Sequence, residues 1–529
     1  MLAASGTCVH HPLIMIGIYI IVAIVCAIVT EGWRTTRKKA NGMALPPGPR
    51  LLPFVGNVLD IDLDRPWLTY VKWGKQYGDI VYARLFSQHF IIINSEKIAR
   101  AIVDKRSAIY SDRPVVPTNE YFGLSFNTGF MPYGDTFRIH RKLYHQVLRI
   151  EASNSYQDLY LRKAHELVVN LLDAPKDMEQ HLTTFAASLI LAVTYGYETK
   201  PRDDPFVTSA QRVIEIANQV LSPERAAMQM FFPFLIWLPS FVPGGEYKKR
   251  APECRRLIKD IMDTPFKYVK KQLAENVARP SMVSDFLSQG DTSQVRAHEQ
   301  LMKEVAVTAY SAGSETTSST IHSFILAMLL YPDVQTRARA AIDAVCGRNK
   351  IPTFQDKKSL PYIEAICREI LRWEPIVPLG VPHKTLRDDI YDGFFIPKGS
   401  VVILNAWAMG HDEEIYPNPS HFDPDRHFTA DGTLKDEPAY THFSFGFGRR
   451  ICPGRFFAEN SIWASVVSIL STIEITKAQD KDGKDIDVKP QFITGLSIHP
   501  EHFPCSIRSV SSAREEQVRT MWKADTTGQ

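Results

Sequence analysis

The chain has 529 residues, of which 45% are hydrophobic and 22% charged, an ordinary balance for a protein with a large buried core. Its formal net charge of +3 is too small to indicate nucleic-acid binding. Seven scattered cysteines give no pattern of a disulfide framework, which suits a reducing compartment. No internal repeat or low-complexity segment is present. Composition therefore favours one large domain over a repeat array or a disordered chain.

The N-terminus contains an uncharged apolar run at residues 13–30. As a helix it would be about 27 Å long, close to the ~30 Å of a bilayer core. Residues 1–12 contain no Lys or Arg, whereas basic residues follow the run at Arg34, Arg37, Lys38 and Lys39. A cleaved signal peptide would show the reverse order. We therefore predict one uncleaved transmembrane helix, a lumenal segment 1–12 and a cytoplasmic remainder. The alternatives are a cleaved signal peptide and a buried core helix.

The segment after this run is basic and ends in prolines. Residues 31–50 close with Pro46-Pro47-Gly48-Pro49-Arg50, and prolines block helix continuation. The sequence predicts a semi-rigid hinge here, followed by the folded domain at 51–510. Residues 511–529 are polar and are predicted to form a flexible tail.

The folded domain reads as mainly α with a small β region. Residues 79–94 alternate as a β-hairpin, and 134–330 carry mostly helical patterns. A helix is predicted to begin near Leu360, short strands occupy 388–405, and another helix follows Gly454.

The helix predicted at 297–330 has an unusual middle, where one face is small and hydroxylated. The residues at matching spacing on that face are Ala309, Gly313, Thr316, Thr317 and Thr320. A glycine inside a helix costs about 1 kcal/mol relative to alanine, so it requires a compensating role. Gly313 would leave room for a small ligand, Thr316 could donate to bound dioxygen, and Glu315 could supply a proton. The alternative is close helix packing, with the threonine bonded back to the fourth preceding carbonyl.

A glycine-rich segment near the C-terminus, Phe445-Gly446-Phe447-Gly448-Arg449-Arg450-Ile451-Cys452-Pro453-Gly454, contains one cysteine. Glycines allow tight turns whose N–H groups can surround a thiolate that ligates iron. Arg450 offers a planar fork for a carboxylate such as a haem propionate. A zinc site would need further Cys or His nearby, and a dinucleotide loop would need glycine at position 451. A buried structural cysteine is the remaining alternative.

Phe445, Gly448, Arg450, Cys452 and Gly454 match the pattern F-x-x-G-x-R-x-C-x-G. This segment resembles the haem-binding loop of the cytochrome P450 family, in which the cysteine thiolate is the axial ligand of the haem iron. Ala312-Gly313-Ser314-Glu315-Thr316-Thr317 is similar to the oxygen-activation motif of that family. The resemblance runs from the N-terminal run to about residue 508 and implies haem b as cofactor and a cytochrome P450 fold.

The resemblance assigns further residues. It implies that Glu369 and Arg372 join Arg426 in a structural lock beneath the haem, with His427 where phenylalanine is common. It implies that His383 and Arg141 contact a haem propionate. Phe137 stands where the family usually has a tryptophan, and its ring has no N–H to donate. The residues that the resemblance places around the substrate are mainly apolar, namely Phe122, Phe126, Ala309, Ile376, Val377, Leu379, Thr494 and Leu496.

The resemblance implies a haem-thiolate monooxygenase acting on C–H bonds of a small lipophilic compound, similar to fungal enzymes of terpenoid, polyketide or indole metabolism. Electrons would come from a membrane-bound NADPH-dependent flavoprotein reductase, and the site would face the cytoplasm at the endoplasmic reticulum. Two alternatives stay open at this point. One is a haem-thiolate isomerase or dehydratase that needs no reductase, and the other is a non-enzymatic membrane haem carrier or sensor.

Overall fold

The computed structural model describes residues 22, 23, 26, 30, 42–220, 240, 245–288, 292–493, 495 and 497–527. The predicted transmembrane helix at 13–30, with the lumenal segment before it, therefore lies almost entirely outside the described residues. Among the helices within these ranges, none is both long and apolar enough to cross a bilayer.

Helices form most of the described domain. In chain order they are α1 (Pro66–Tyr77), α2 (Glu96–Ala99), α3 (Pro117–Phe122), α4 (Asp135–Leu148), α5 (Ile150–Ser155), α6 (Gln157–Asp173), α7 (Met178–Tyr195), α8 (Pro205–Val220), α9 (Ala251–Ala274), α10 (Met282–Leu287), α11 (Thr292–Leu330), α12 (Pro332–Cys346), α13 (Pro361–Trp373), α14 (Ala406–Gly410), α15 (Arg455–Thr472) and α16 (Ser512–Thr527). The mainly helical prediction is confirmed.

The strands are short and, within the described residues, form one four-stranded and three two-stranded sheets. They are β1 (Ile80–Leu85), β2 (Gln88–Ile93), β3 (His383–Lys384), β4 (Asp389–Tyr391), β5 (Phe394–Ile396), β6 (Val401–Leu404), β7 (Ile473–Lys477), β8 (Phe492–Ile493), β9 (His499–Pro500) and β10 (Cys505–Ser509). The largest sheet has the order β1-β2-β6-β3, with β2 parallel to β6 and the other pairs antiparallel. The predicted hairpin at 79–94 and the strands at 388–405 are confirmed.

Side-chain alternation explains why this sheet is buried on both faces. Along β2, Ile91 and Ile93 join one apolar cluster, whereas Phe90 and Ile92 join another on the opposite face. Helices α6, α7, α11 and α15 pack on one another in a third and larger apolar cluster. The domain is therefore a helical core with a small sheet at its side.

Helix α11 runs through this core and is about 58 Å long at 1.5 Å per residue. It begins five residues before the predicted start at 297 and ends at the predicted residue, 330. It contacts α7, α15, α13 and α4, so its middle turns face several elements at once. Because α11 is central, the size of the side chains on its middle turns determines how much space remains between α11 and its neighbours.

The C-terminal segment is a helix and not the flexible tail that its polarity predicted. Val518 of α16 is fully buried, and α16 packs against α6. The buried guanidinium of Arg514 donates to the Asp343 carboxylate and to the main-chain carbonyls of Arg348 and Ser471. The prediction is wrong because Arg514 and a few apolar side chains, those of Val518, Met521 and Trp522, dock a helix that is polar in overall composition.

Candidate active site

A cavity of about 350 Å³ lies between α11, α4, the segment before β3 and the loop before α15. One wall is the small face of α11, and it includes Ala309, Gly313, Thr316, Thr317 and Thr320. The spacing of these residues in the sequence had placed them on one face. The Cys452 loop forms the opposite part of the lining. The structure thus brings the two sequence motifs together around one space.

The loop geometry explains the glycines around Cys452. Gly448 has a left-handed φ of 61°, and a Cβ there would lie 2.4 Å from the Val103 carbonyl oxygen. A Cβ on Gly454 would lie 3.9 Å from the Cys452 Sγ. The Cys452 N–H donates to the Phe445 carbonyl at 2.8 Å. Phe445 also lines the cavity. Glycine keeps the turn tight and the surroundings of the sulfur small.

The electrostatics of Cys452 suit a metal ligand more than a free nucleophile. Burial raises the pKa of its thiol, although the Gly454 N–H and the guanidiniums of Arg141 and Arg455 oppose that rise. The free protein therefore holds a neutral thiol at neutral pH. A bound metal ion replaces this proton, and the surrounding N–H and cationic groups then favour the thiolate.

Three guanidiniums line the same cavity, those of Arg113, Arg141 and Arg450. Each donates to main-chain carbonyls, and within the described residues none forms an ion pair with a carboxylate. The nearby Asp112 carboxylate instead accepts the Tyr133 N–H at 2.9 Å. Burial lowers the pKa of Arg113, Arg141 and Arg450, that of Arg450 to about 10. A guanidinium keeps its proton in proteins, so the three groups are cations.

Buried cations without anionic partners are costly, and a bound dianion would compensate them. A haem carries two propionate carboxylates, and its iron requires an axial ligand such as the Cys452 sulfur. The cavity offers this donor set in one place. The residues present therefore fit haem.

His383 also lines the cavity, but its ring is tied to the main chain. Its Nδ1 lies 2.6 Å from the Tyr110 carbonyl oxygen, and since a carbonyl only accepts, Nδ1 carries the proton. Burial lowers the pKa of His383 well below its usual value, so the ring is neutral with Nε2 as an acceptor. Its contact with a propionate stays a prediction, because it requires protonation of Nε2.

Sequence reasoning missed two residues of this cationic region. Arg113 lies in a segment without a motif, where an arginine before Pro114 carried no recognisable signal. Phe137 was set aside because it cannot donate a hydrogen bond, yet its ring lies under the Arg450 guanidinium, 3.7 Å from Cζ to the ring centroid. A cation–π contact of this kind fixes the orientation of the guanidinium.

On α11, the structure shows the close helix packing and the threonine-to-carbonyl hydrogen bond that were the alternative to a ligand site. The Thr316 hydroxyl donates to the Ala312 carbonyl at 2.8 Å. A Cβ on Gly313 would lie 3.3 Å from Cγ1 of Ile190, so the glycine lets α7 approach closely. Both residues also line the cavity. The two interpretations are therefore compatible, and the threonine hydroxyl must rotate before it can donate to a ligand.

Glu315 lies elsewhere. Its side chain lines a second cavity of about 430 Å³ on the other side of α11, together with Ser314, Ser318 and His322. Its carboxylate accepts a hydrogen bond from the Ser497 hydroxyl. The expectation that Glu315 stands beside Thr316 at the first cavity is wrong for this conformation. Successive residues of a helix differ in direction by about 100°, so the two side chains leave on different faces.

The predicted structural lock is assembled around Glu369. This carboxylate is fully buried and accepts two hydrogen bonds from Arg372, at 2.7 and 2.8 Å, and one from Arg426 at 3.0 Å. His427 Nε2 is also 3.0 Å from it, a contact that the sequence did not predict. Burial opposes ionisation of Glu369, but the bonds from Arg372 and His427 outweigh it and lower the pKa to about 2.

Three of the predicted substrate contacts line the first cavity, namely Ala309, Ile376 and Val377. They give it an apolar wall close to the hydroxylated face of α11. Two others, Thr494 and Leu496, lie outside the described residues.

The remaining three predicted contacts do not line the cavity. Phe122 is fully buried in the helical core, where Phe126 packs against the same cluster. The chain turns directly after Phe122 at Gly123, which has a φ of 78°, and this turn ends α3. Leu379 packs against the sheet. Their role as substrate contacts stays a prediction, because a position in a motif order does not fix the direction of a side chain at a turn.

Comparison with known proteins agrees with the site. Residues 46–504 match the family model described as Cytochrome P450. The chain is 39% identical to "Cytochrome P450 monooxygenase 105" of Postia placenta, over 92% of this chain and 91% of that protein. It is 35% identical to "Cytochrome P450 monooxygenase ple1" of Rhodocybe pseudopiperita, over 94% and 96%. It is 37% identical to "Cytochrome P450 monooxygenase ppsD" of Aspergillus oryzae, over 89% and 90%.

Proposed function

Because the chain belongs to the cytochrome P450 family and is a haem b monooxygenase, we propose that it hydroxylates a C–H bond of a small lipophilic compound in fungal secondary metabolism. The similar proteins named above are fungal monooxygenases, which supports this setting. In the overall reaction, one atom of O₂ enters the substrate and the other leaves as water. NADPH supplies the two electrons.

The observation that carries the proposal is the composition of the first cavity. The Cys452 sulfur, the buried guanidiniums and the hydroxylated face of α11 surround a space whose remaining wall contains Ile376 and Val377. Haem b, when bound, would supply the redox chemistry of dioxygen, and Cys452 would hold its iron. Arg113, Arg141 and Arg450 are assigned to hold its carboxylates.

The other residues bind and protect the substrate. The apolar wall excludes water and orients a lipophilic molecule over the reactive centre. Thr316 is assigned to hold a proton at its hydroxyl, and Gly313 leaves the space beside it open. Glu315 is assigned as the proton source that recharges this position.

The electron donor and the membrane setting belong to the same proposal. The sequence shows no flavin or nicotinamide motif, so a membrane-bound NADPH-dependent flavoprotein reductase is assigned as the partner. Four large apolar side chains just after the proline hinge are exposed, those of Leu52, Phe54, Leu59 and Leu63. These exposed apolar side chains follow the apolar run at 13–30 in the sequence, which supports attachment to the endoplasmic reticulum membrane with the domain on the cytoplasmic side.

The test is co-expression with a fungal reductase, feeding of lipophilic terpenoid, polyketide and indole compounds, and mass analysis of the products under ¹⁸O₂. The proposal predicts NADPH-dependent products that contain one labelled oxygen atom. The Cys452→Ala protein serves as the matched inactive control. Turnover without NADPH and without label would instead identify an isomerase or dehydratase and contradict the proposal.

A further inference from the structure

The second cavity, on the side of α11 away from Cys452, is lined by both polar and apolar side chains. The titratable side chains that line it are those of Glu179, Glu215, Tyr310, Glu315, His322 and His499. No Lys or Arg of the described residues is part of its lining. Burial lowers the pKa of His322 to about 4, so this imidazole is neutral at neutral pH. The cavity reaches the surface at Glu215, whose side chain is 58% exposed.

The Glu315 carboxylate is held in this cavity from outside its own helix. Ser497 is 8% exposed and lies between β8 and β9, and its hydroxyl donates to Glu315 Oε1. The segment that carries Ser497 is fixed in turn, because the next N–H, of Ile498, donates to the Ile376 carbonyl at 2.8 Å. Ile376 lines the first cavity. Ser497 is thus set at a defined position relative to both cavities.

This arrangement bears on proton supply. A proton donor must come within hydrogen-bond reach of the group that it serves, and α11 stands between the Glu315 carboxylate and the first cavity. The carboxylate can gain a proton from water in the second cavity and must rotate to pass it on. A group that fixes the resting position of the Glu315 carboxylate therefore influences how far the carboxylate must rotate to donate its proton.

We propose that Ser497 is a positioning residue for Glu315, holding its carboxylate in the solvent-connected second cavity between proton deliveries to the first. This inference rests on the proposed role of Glu315 as the proton source. Ser497 is not among the residues that line the first cavity, and its hydroxyl donates to Glu315. Its loss therefore changes proton supply and leaves substrate affinity unchanged.

The test uses the full-length haem-bound protein with its reductase. Product formed per NADPH consumed, the solvent deuterium isotope effect on turnover and substrate affinity are measured for Ser497→Ala, Glu315→Gln and the double variant. We expect Ser497→Ala to lower product per NADPH about threefold, near the lower range for one hydrogen bond, and to raise the isotope effect. In the double variant, Ser497→Ala should have no further effect beyond Glu315→Gln.

Matched controls separate positioning from packing. Ser318 lines the same cavity but donates to the main-chain carbonyl of Glu315, so Ser318→Ala should leave both readouts unchanged. Ser497→Thr retains the hydroxyl and should restore coupling. If Ser497→Ala fails to fold, the nearly isosteric Ser497→Cys, a weak donor, replaces it.

The outcomes distinguish two failures. If Glu315→Gln leaves product per NADPH unchanged, the proposed proton role of Glu315 fails, and the inference about Ser497 falls with it. If Glu315→Gln lowers coupling but Ser497→Ala does not, or if the two effects simply add, Ser497 is not a positioning residue while the proposed function stands.

Discussion

Replacing Glu369 by glutamine tests whether the buried charge cluster stabilises the fold. The carboxylate is fully buried, and its pKa falls from 4.5 to about 2. At about 1.4 kcal/mol per pH unit, this lowering corresponds to about 3 kcal/mol in favour of the ionised form. Removing one partner of a buried ion pair typically costs about 3–5 kcal/mol, because the remaining charge loses its compensation. We therefore expect Glu369→Gln to lower the free energy of unfolding by about 3 kcal/mol or more.

Urea unfolding of the haem-bound protein, followed by circular dichroism at fixed haem concentration, measures this loss. The matched control is Glu413→Gln, which breaks an ion pair with Lys75 in which both side chains are about 70% exposed. Exposed pairs contribute about 0–1 kcal/mol, so the control should change little.

The same cluster makes a prediction about pH. Because the pKa of Glu369 is lowered on folding, its contribution to stability is complete above about pH 4.5 and is lost as the pH falls through about 2. The difference between wild type and Glu369→Gln should therefore shrink over that range. A loss no larger than that of Glu413→Gln, or a difference that does not change with pH, would refute the reasoning.

Three further predictions concern the site and the membrane. Thr316→Ala should retain haem but divert electrons from product to peroxide or water; unchanged product per NADPH with no added peroxide would remove its assigned role. Arg113→Met should weaken haem retention by about tenfold, since a hydrogen bond to a charged group contributes about 1.5–3 kcal/mol; haem transfer to apomyoglobin measures this, and an unchanged transfer rate would contradict it. Deleting residues 1–32 should release part of the protein from sedimented membranes; if all of it still sediments without aggregation, that segment is not the main attachment.

The sequence predicted best where a residue's role depends on its immediate neighbours. The spacing along 309–320 placed five small residues on one face, and they line the cavity. The glycines around Cys452 predicted a tight loop, and Gly448 has the left-handed backbone that only glycine adopts readily. A helix was predicted to begin near Leu360, and α13 begins at the next residue, Pro361.

Prediction was poorer where side-chain direction depends on distant elements. The position of Glu315 in its motif could not show that Ser497, almost two hundred residues later, would hold its carboxylate on the far side of α11. Phe122 has an apolar side chain suited to either a pocket or a core, and only packing against other helices decides between them. The polar composition of 511–529 likewise concealed the docking of Arg514 and Val518.

The central claim is that Cys452 ligates a haem iron within the first cavity. The most direct measurement is the carbon-monoxide difference spectrum of the reduced protein, recorded for wild type and Cys452→Ala at equal haem content. The account predicts a red-shifted thiolate band in the wild type and its loss in the variant. A variant that retains the wild-type band, or a correctly folded wild type that stays colourless after incubation with haemin, would contradict it.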